Sequence, residues 1–182
     1  MFEDNPYIKF IDDVLLPYKD IIGLDYQAYR FHCFRVFLFS LTLLNNSQDA
    51  KNIEKLAIAS AFHDLGMWTD NTFDYIKPSI ALSTKYLISS GKTEWVEEIA
   101  SMIENHHKVT SYNETCTNLV NIFRKADWID VSLGFIKFNI TTKFVQSVKN
   151  KYPNSGFHKR LIAISLKHFV KNPFDPLPMF KL

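Results

Sequence analysis

Cysteine is scarce in this chain. Cys33 and Cys116 are its only two, and they stand far apart, so neither a disulfide framework nor a CxxC metal pair is available. Two reduced thiols suit a cytoplasmic protein. Glycine is almost as rare: five glycines and seven prolines leave no collagen-like repeat and no low-complexity linker. An excess of one charge is also missing. Lys and Arg number 21 against 19 Asp and Glu, and a net charge of +2 gives no general reason to seek nucleic acid or acidic lipid. Neither a nucleic-acid partner nor a membrane is expected. The opening residues, Met1 to Pro6, lack a basic segment followed by an apolar one, so no secretory signal is read there. The most apolar stretch, Val36 to Leu44, is far below the roughly 20 residues a bilayer span takes.

What is present is a hydrophobic chain of one-domain size. Its 182 residues are 47% hydrophobic and 22% charged, which supports a single packed core and excludes intrinsic disorder. The apolar spacing is helical nearly throughout. Between Ala50 and Leu65, Ile53, Leu56, Ala57, Ser60 and Ala61 recur at three and four, with Asn52 and Lys55 opposite. From Thr93 to His107 the stripe is Val96, Ile99, Ala100 and Ile103, with Thr93 placed to cap the helix. Pro78 suits the first turn of a helix reaching about Ser89. Asn118 to Leu133 and Gly156 to Val170 continue the pattern, and Phe37 to Leu44 is apolar almost all round, as a central helix would be. The β-branched run Ile140 to Thr142 is the one place where the spacing leaves helix open. Gly23, Gly66, Gly91, Gly134 and Gly156 each fall where a helix would end on a left-handed residue. The expected fold is all-α, a compact bundle of seven or eight helices forming one domain over residues 1–182.

Chemistry concentrates in histidine and aspartate. His32, the His63-Asp64 pair, the His106-His107 pair and Asp127 lie on or at the ends of different expected helices, the way a bundle assembles a metal site. His63 and Asp64 follow the buried run Ala59 to Phe62, and a carboxylate at a buried helix end is costly unless something compensates it. A divalent cation shared with the imidazole is the simplest compensation.

The segment Ala61-Phe62-His63-Asp64-Leu65-Gly66 closely resembles the signature of the HD superfamily of metal-dependent hydrolases. Tyr29 to Val36, a His followed three residues later by Arg35-Val36, resembles that family's first ligand helix. Ile103 to Lys108 is similar to its later histidine segment, and Arg124 to Asp130 to its closing Ala-Asp motif. Together the motifs cover residues from about 28 to about 134, the motif-bearing core of the domain. The resemblance implies an all-α fold, a small-molecule substrate and a divalent transition metal, Mn²⁺, Fe²⁺, Zn²⁺, Co²⁺ or Ni²⁺, on His32, His63, Asp64 and Asp127. For Asp127 taken alone, an ion pair with Arg124 is the competing reading.

Asp64, His106 and His107 are the catalytic candidates, a helical His pair serving as proton donor or shuttle. Two consecutive helical side chains diverge by about 100°, so one of the two is expected to face the site. Arg35, Trp68, Lys108 and Asp130 are candidate substrate contacts, with Asp130 equally readable as a surface acid or as a group orienting a ligand. His158 and His168 read as surface residues, Cys33 as core.

Residues 65–105 contain no histidine, which points to one metal rather than two and away from the diiron oxygenase branch. Leu65 to Trp68 replaces the Glu that the stringent-response and nucleotidase branches place after the pair, and no Gly-Tyr-Pro follows His107. Hydrolysis of a small phosphate ester or nucleotide by metal-activated water is the first expectation. Arg35, Lys77, Lys108, Arg124 and Lys125 are the cations near the motifs that could neutralise it. The aromatic segment Trp68 to Tyr75 resembles the cyanamide-hydratase-like branch, so hydration of a small nitrile-type substrate is the second. A metal-binding module without turnover is the third.

Overall fold

The computed structural model describes residues 5–44, 49–112 and 118–171. Eight helices of ten or more residues run through them, α1 (Pro6–Leu15), α2 (Tyr26–Leu43), α3 (Ala50–Phe62), α4 (Ile76–Ser89), α5 (Val96–Asn105), α6 (Asn118–Val131), α7 (Thr142–Lys151) and α8 (Phe157–Lys171). No strand occurs among the described residues, and none of their helices is long and apolar enough to cross a membrane. The all-α expectation holds. The tail after Lys171, with its three prolines, and Cys116 lie outside the described residues.

Helix starts follow local chemistry. Asn5 accepts from the Tyr7 amide at 3.0 Å with Pro6 opening α1, Asp49 caps α3 and Thr141 caps α7. The β-branched run divides there: Ile140 stays outside that last helix, Thr141 caps it and Thr142 opens it. Thr93 does not cap as expected: Thr93–Trp95 winds into a 3₁₀ turn that buries Trp95, and α5 begins only at Val96.

The axis of the bundle is α2, which packs against α6 and α3 and buries every residue from His32 to Ser40. Phe34, Phe37 and Phe39 are core, as is Phe123 opposite them on α6. Each such ring contributes about 1.5–3 kcal/mol by leaving water. The central position of α2 has a functional consequence. A helix apolar on all sides carries His32 and Arg35 into the interior, where each needs a partner.

Gly66 departs from the sequence reading. It opens a single helical turn, Gly66–Thr69, rather than ending a helix on a left-handed residue. A Cβ there would lie 2.6 Å from the Tyr75 carbonyl oxygen and 2.8 Å from the Ser79 amide nitrogen. Glycine is required because α4 passes against the turn at backbone distance.

Candidate active site

Four helices deliver the polar cluster: His32 from the middle of α2, His63 and Asp64 from the end of α3, His106 and His107 just past α5, Asp127 and Asp130 from α6. All seven are buried. Three of the imidazoles have their tautomers set by local bonds. His63 Nδ1 lies 3.0 Å from the Ser60 carbonyl and His106 Nδ1 2.5 Å from the Ile103 carbonyl. A carbonyl only accepts, so both Nδ1 atoms carry the proton and both Nε2 atoms turn a lone pair inward. His32 Nδ1 donates to Asp130 Oδ2 at 2.7 Å, directing its Nε2 to the same point.

The inward atoms crowd together. His32 Nε2 and His63 Nε2 are 2.9 Å apart. Asp64 Oδ2 is 3.5 Å from both, and Asp127 Oδ1 is 3.5 Å from His32 Nε2 and 3.8 Å from His63 Nε2. His106 Nε2 lies 3.3 Å from Asp64 Oδ1. Asp64 Oδ1, Asp127 Oδ1 and His106 Nε2 are buried with no hydrogen-bond partner. Buried acceptors left unpaired around two facing nitrogens need positive charge between them, and a divalent cation fits this donor set. His32, His63 and Asp127 form one group able to hold such an ion; His63, Asp64 and His106, and His106, His107 and Asp127, form two overlapping ones.

The protein's own electrostatics are tuned to the same end. Burial works against charge on His32, but the Asp130 and Asp64 carboxylates overcome it and raise the pKa to about 9. Burial lowers His63 to about 4, with His32 and His106 pushing the same way against the pull of Asp64. Burial would raise the carboxyls of Asp64 and Asp127, yet the surrounding imidazoles hold both below the usual range. Both stay anionic.

The two consecutive histidines do not diverge as expected. Because α5 stops at Asn105, His106 and His107 occupy the turn after it, their rings 3.8 Å apart and both directed inward. His107 Nδ1 faces Asp127 Oδ2 at 3.4 Å, and its Nε2 meets the hydroxyl of Tyr75 at 2.5 Å. Tyr75, seated by the close approach at Gly66, is a site residue the sequence did not single out; it lay within the aromatic segment, and nothing in the spacing marked its burial.

Of the four candidate substrate contacts, two are corrected. Arg35 is not available to substrate: its Nε and Nη2 hold Asp130 at 2.6 and 2.8 Å, and its Nη1 caps the Tyr152 and Pro153 carbonyls at 3.1 Å. Asp130 is neither a surface acid nor a substrate contact, since Arg35 and His32 occupy both its oxygens. It orients His32. Trp68 is half-buried, its indole N–H on Asp25 at 3.1 Å and its ring 4.6 Å from that of Tyr29. Lys108 is half-buried, its ammonium 5.8 Å from the centre of the Tyr112 ring, while its carbonyl accepts from Arg124 and Trp128. The Arg124–Asp127 pair does not form, because Arg124 bonds the Lys108 and Val109 carbonyls. His158 is not a surface residue either: half-buried, it donates from Nε2 to the Asp130 carbonyl at 2.9 Å.

A family profile described as "HD domain" matches residues 29–132, more than half of the chain. The chain belongs to the HD-domain family. No curated protein and no solved structure matched it. The HD domain here runs from the α2 helix of His32 to the α6 helix of Asp127, so the match spans every residue of the cluster described above. Most of the family are metal-dependent hydrolases, and the clustered His and Asp residues are able to hold the metal such an enzyme needs.

Proposed function

We propose that this HD domain is a hydrolase of small phosphate esters that works with one divalent cation on His32, His63, Asp64 and Asp127. The observation that carries the reading is the convergence of three inward Nε2 atoms on two carboxylates whose Oδ1 atoms have no partner. A bound transition-metal ion supplies Lewis acidity, which acidifies water and neutralises charge building on the reacting group.

The remaining work falls to the chain's own residues. Asp130, locked by Arg35, keeps the His32 ring in one orientation, and the Ser60 carbonyl does the same for His63. Little reorganisation is then needed when substrate arrives. Cleaving a P–O ester bond leaves an alkoxide that needs a proton, and His107, whose Nδ1 faces Asp127 Oδ2, is the imidazole placed to deliver it. General acid catalysis of this kind is worth about 10² to 10⁴ in rate. The Tyr75 hydroxyl holds His107 from behind, and the apolar packing of Tyr29 and Phe123 against the histidines keeps bulk water out.

One observation favours a second reading, hydration of a small neutral nitrile-type molecule. The guanidinium groups of Arg35 and Arg124 bond protein oxygens, so neither is offered as a phosphate clamp. Assaying the metal-loaded protein against phosphomonoesters, nucleotides and cyanamide separates the two. Turnover of a phosphate ester supports the proposal. Turnover of cyanamide alone replaces it with the second reading, and no turnover of any of them leaves the metal-binding module.

A further inference from the structure

The near-neutral charge of the whole chain conceals a division along it. Residues 131–171 contain seven lysines and one arginine and not one acid, so all 19 Asp and Glu lie outside this stretch. The stretch opens with the loop between α6 and α7, and that loop turns apolar side chains to solvent. Phe135 is 87% exposed, Leu133 44% and Ile136 41%. Its shape is fixed by hydrogen bonds: Gly134 donates to the Ile129 carbonyl at 2.8 Å, Phe135 to the Ser132 carbonyl at 3.0 Å, and the Ile136 amide to Ser132 Oγ at 3.1 Å. Leu133 and Gly134 both adopt positive φ, at 56° and 82°, and a Cβ on Gly134 would meet Val145 of α7 at 2.8 Å. The turn is built to project Phe135 outward.

Lysines ring the projection. Lys149 donates to the Leu133 carbonyl at 3.0 Å, Lys137 to Thr142 Oγ1 at 2.8 Å, and the Lys125 ammonium lies 5.9 Å from the centre of the Phe138 ring. Lys143 follows Lys137's partner on the exposed start of α7. Among the described residues, none of these four lysines is paired with a carboxylate.

We propose that the α6–α7 loop docks on an anionic bilayer, with Leu133, Phe135 and Ile136 entering the interface and Lys125, Lys137, Lys143 and Lys149 facing the headgroups. Exposed apolar side chains rimmed by polar ones mark interaction surfaces. An aromatic and aliphatic tip within a basic collar suits the boundary between acyl chains and anionic headgroups. A nucleic acid would use the lysines but gains nothing from an exposed Leu and Ile.

The test is co-sedimentation of the full chain with phosphatidylcholine vesicles and with mixed phosphatidylcholine–phosphatidylglycerol vesicles. Binding is expected to the mixed vesicles alone and to fall with salt. Reversing Lys137 and Lys143 to Glu should weaken it by about tenfold or more. Phe135→Ser should weaken it with the helical circular dichroism unchanged, and Phe135→Trp should give a blue-shifted emission on binding. No binding to the mixed vesicles at low salt overturns the proposal. So does a Phe135→Ser variant that binds like the parent, tighter binding to duplex DNA or RNA, or a dimer in solution that Phe135→Ser abolishes.

Discussion

The Nε2 atoms of His32 and His63 lie 2.9 Å apart in an interior from which both rings are wholly shielded from water. His63 donates its single proton to the Ser60 carbonyl, so its Nε2 has only a lone pair to offer. In the metal-free protein, the proton that joins the two nitrogens therefore belongs to His32. Its raised pKa and the depressed one of His63 describe the same arrangement from each side.

This fixes a pH dependence. His32 is raised to about 9 in the folded, metal-free chain, above its ordinary 6.5. Its contribution to stability is thus complete below pH 6.5 and is lost as pH rises through 9. A metal ligand must be unprotonated, so binding at pH 7 should release a proton, about one per ion. Calorimetric titration in buffers of different ionisation enthalpy reads that number. Affinity should climb between pH 7 and 9 and then level off.

Arg35 and Asp130 form the second buried relationship on which the site depends. Arg35→Ala should leave the Asp130 carboxylate uncompensated in the core and cost about 3–5 kcal/mol. Asp130→Asn leaves the buried Arg35 guanidinium without its anion and should destabilise the fold as well, and it should weaken metal affinity by about 10- to 100-fold by loosening His32. Urea unfolding and metal titration of the two variants measure these effects separately.

The histidine pair gives a third expectation. Both rings are buried against the carboxylates, so neither His106→Ala nor His107→Ala should be silent. His107→Ala should lower turnover with metal content unchanged, as loss of a proton donor would. His106→Ala removes an unpaired Nε2 aimed at Asp64 and should lower metal affinity as well. Metal analysis alongside steady-state kinetics checks both.

Much of this was legible in the sequence. The apolar spacing marks helices, and the His-Asp motifs name the ligating cluster because residue type alone decides what can coordinate. What stayed hidden were pairings across long separations. Asp130 reads as a solvated acid until α2 and α6 pack and place it beside Arg35, 95 residues away. Tyr75 lies in an irregular segment whose path is set by the contact at Gly66, and no periodicity describes such a segment. The His106-His107 geometry depended on where α5 ends, and a helix end fixes side-chain direction more than spacing does.

Metal content tests the central claim most directly. Protein purified without chelator should carry about one equivalent of a transition metal per chain, and both His63→Ala and Asp64→Ala should lose it while remaining folded enough to purify. Stoichiometric metal retained in both variants would contradict the assignment of the site. Two equivalents in the parent, reduced to one by His106→Ala or His107→Ala, would contradict the single-ion account.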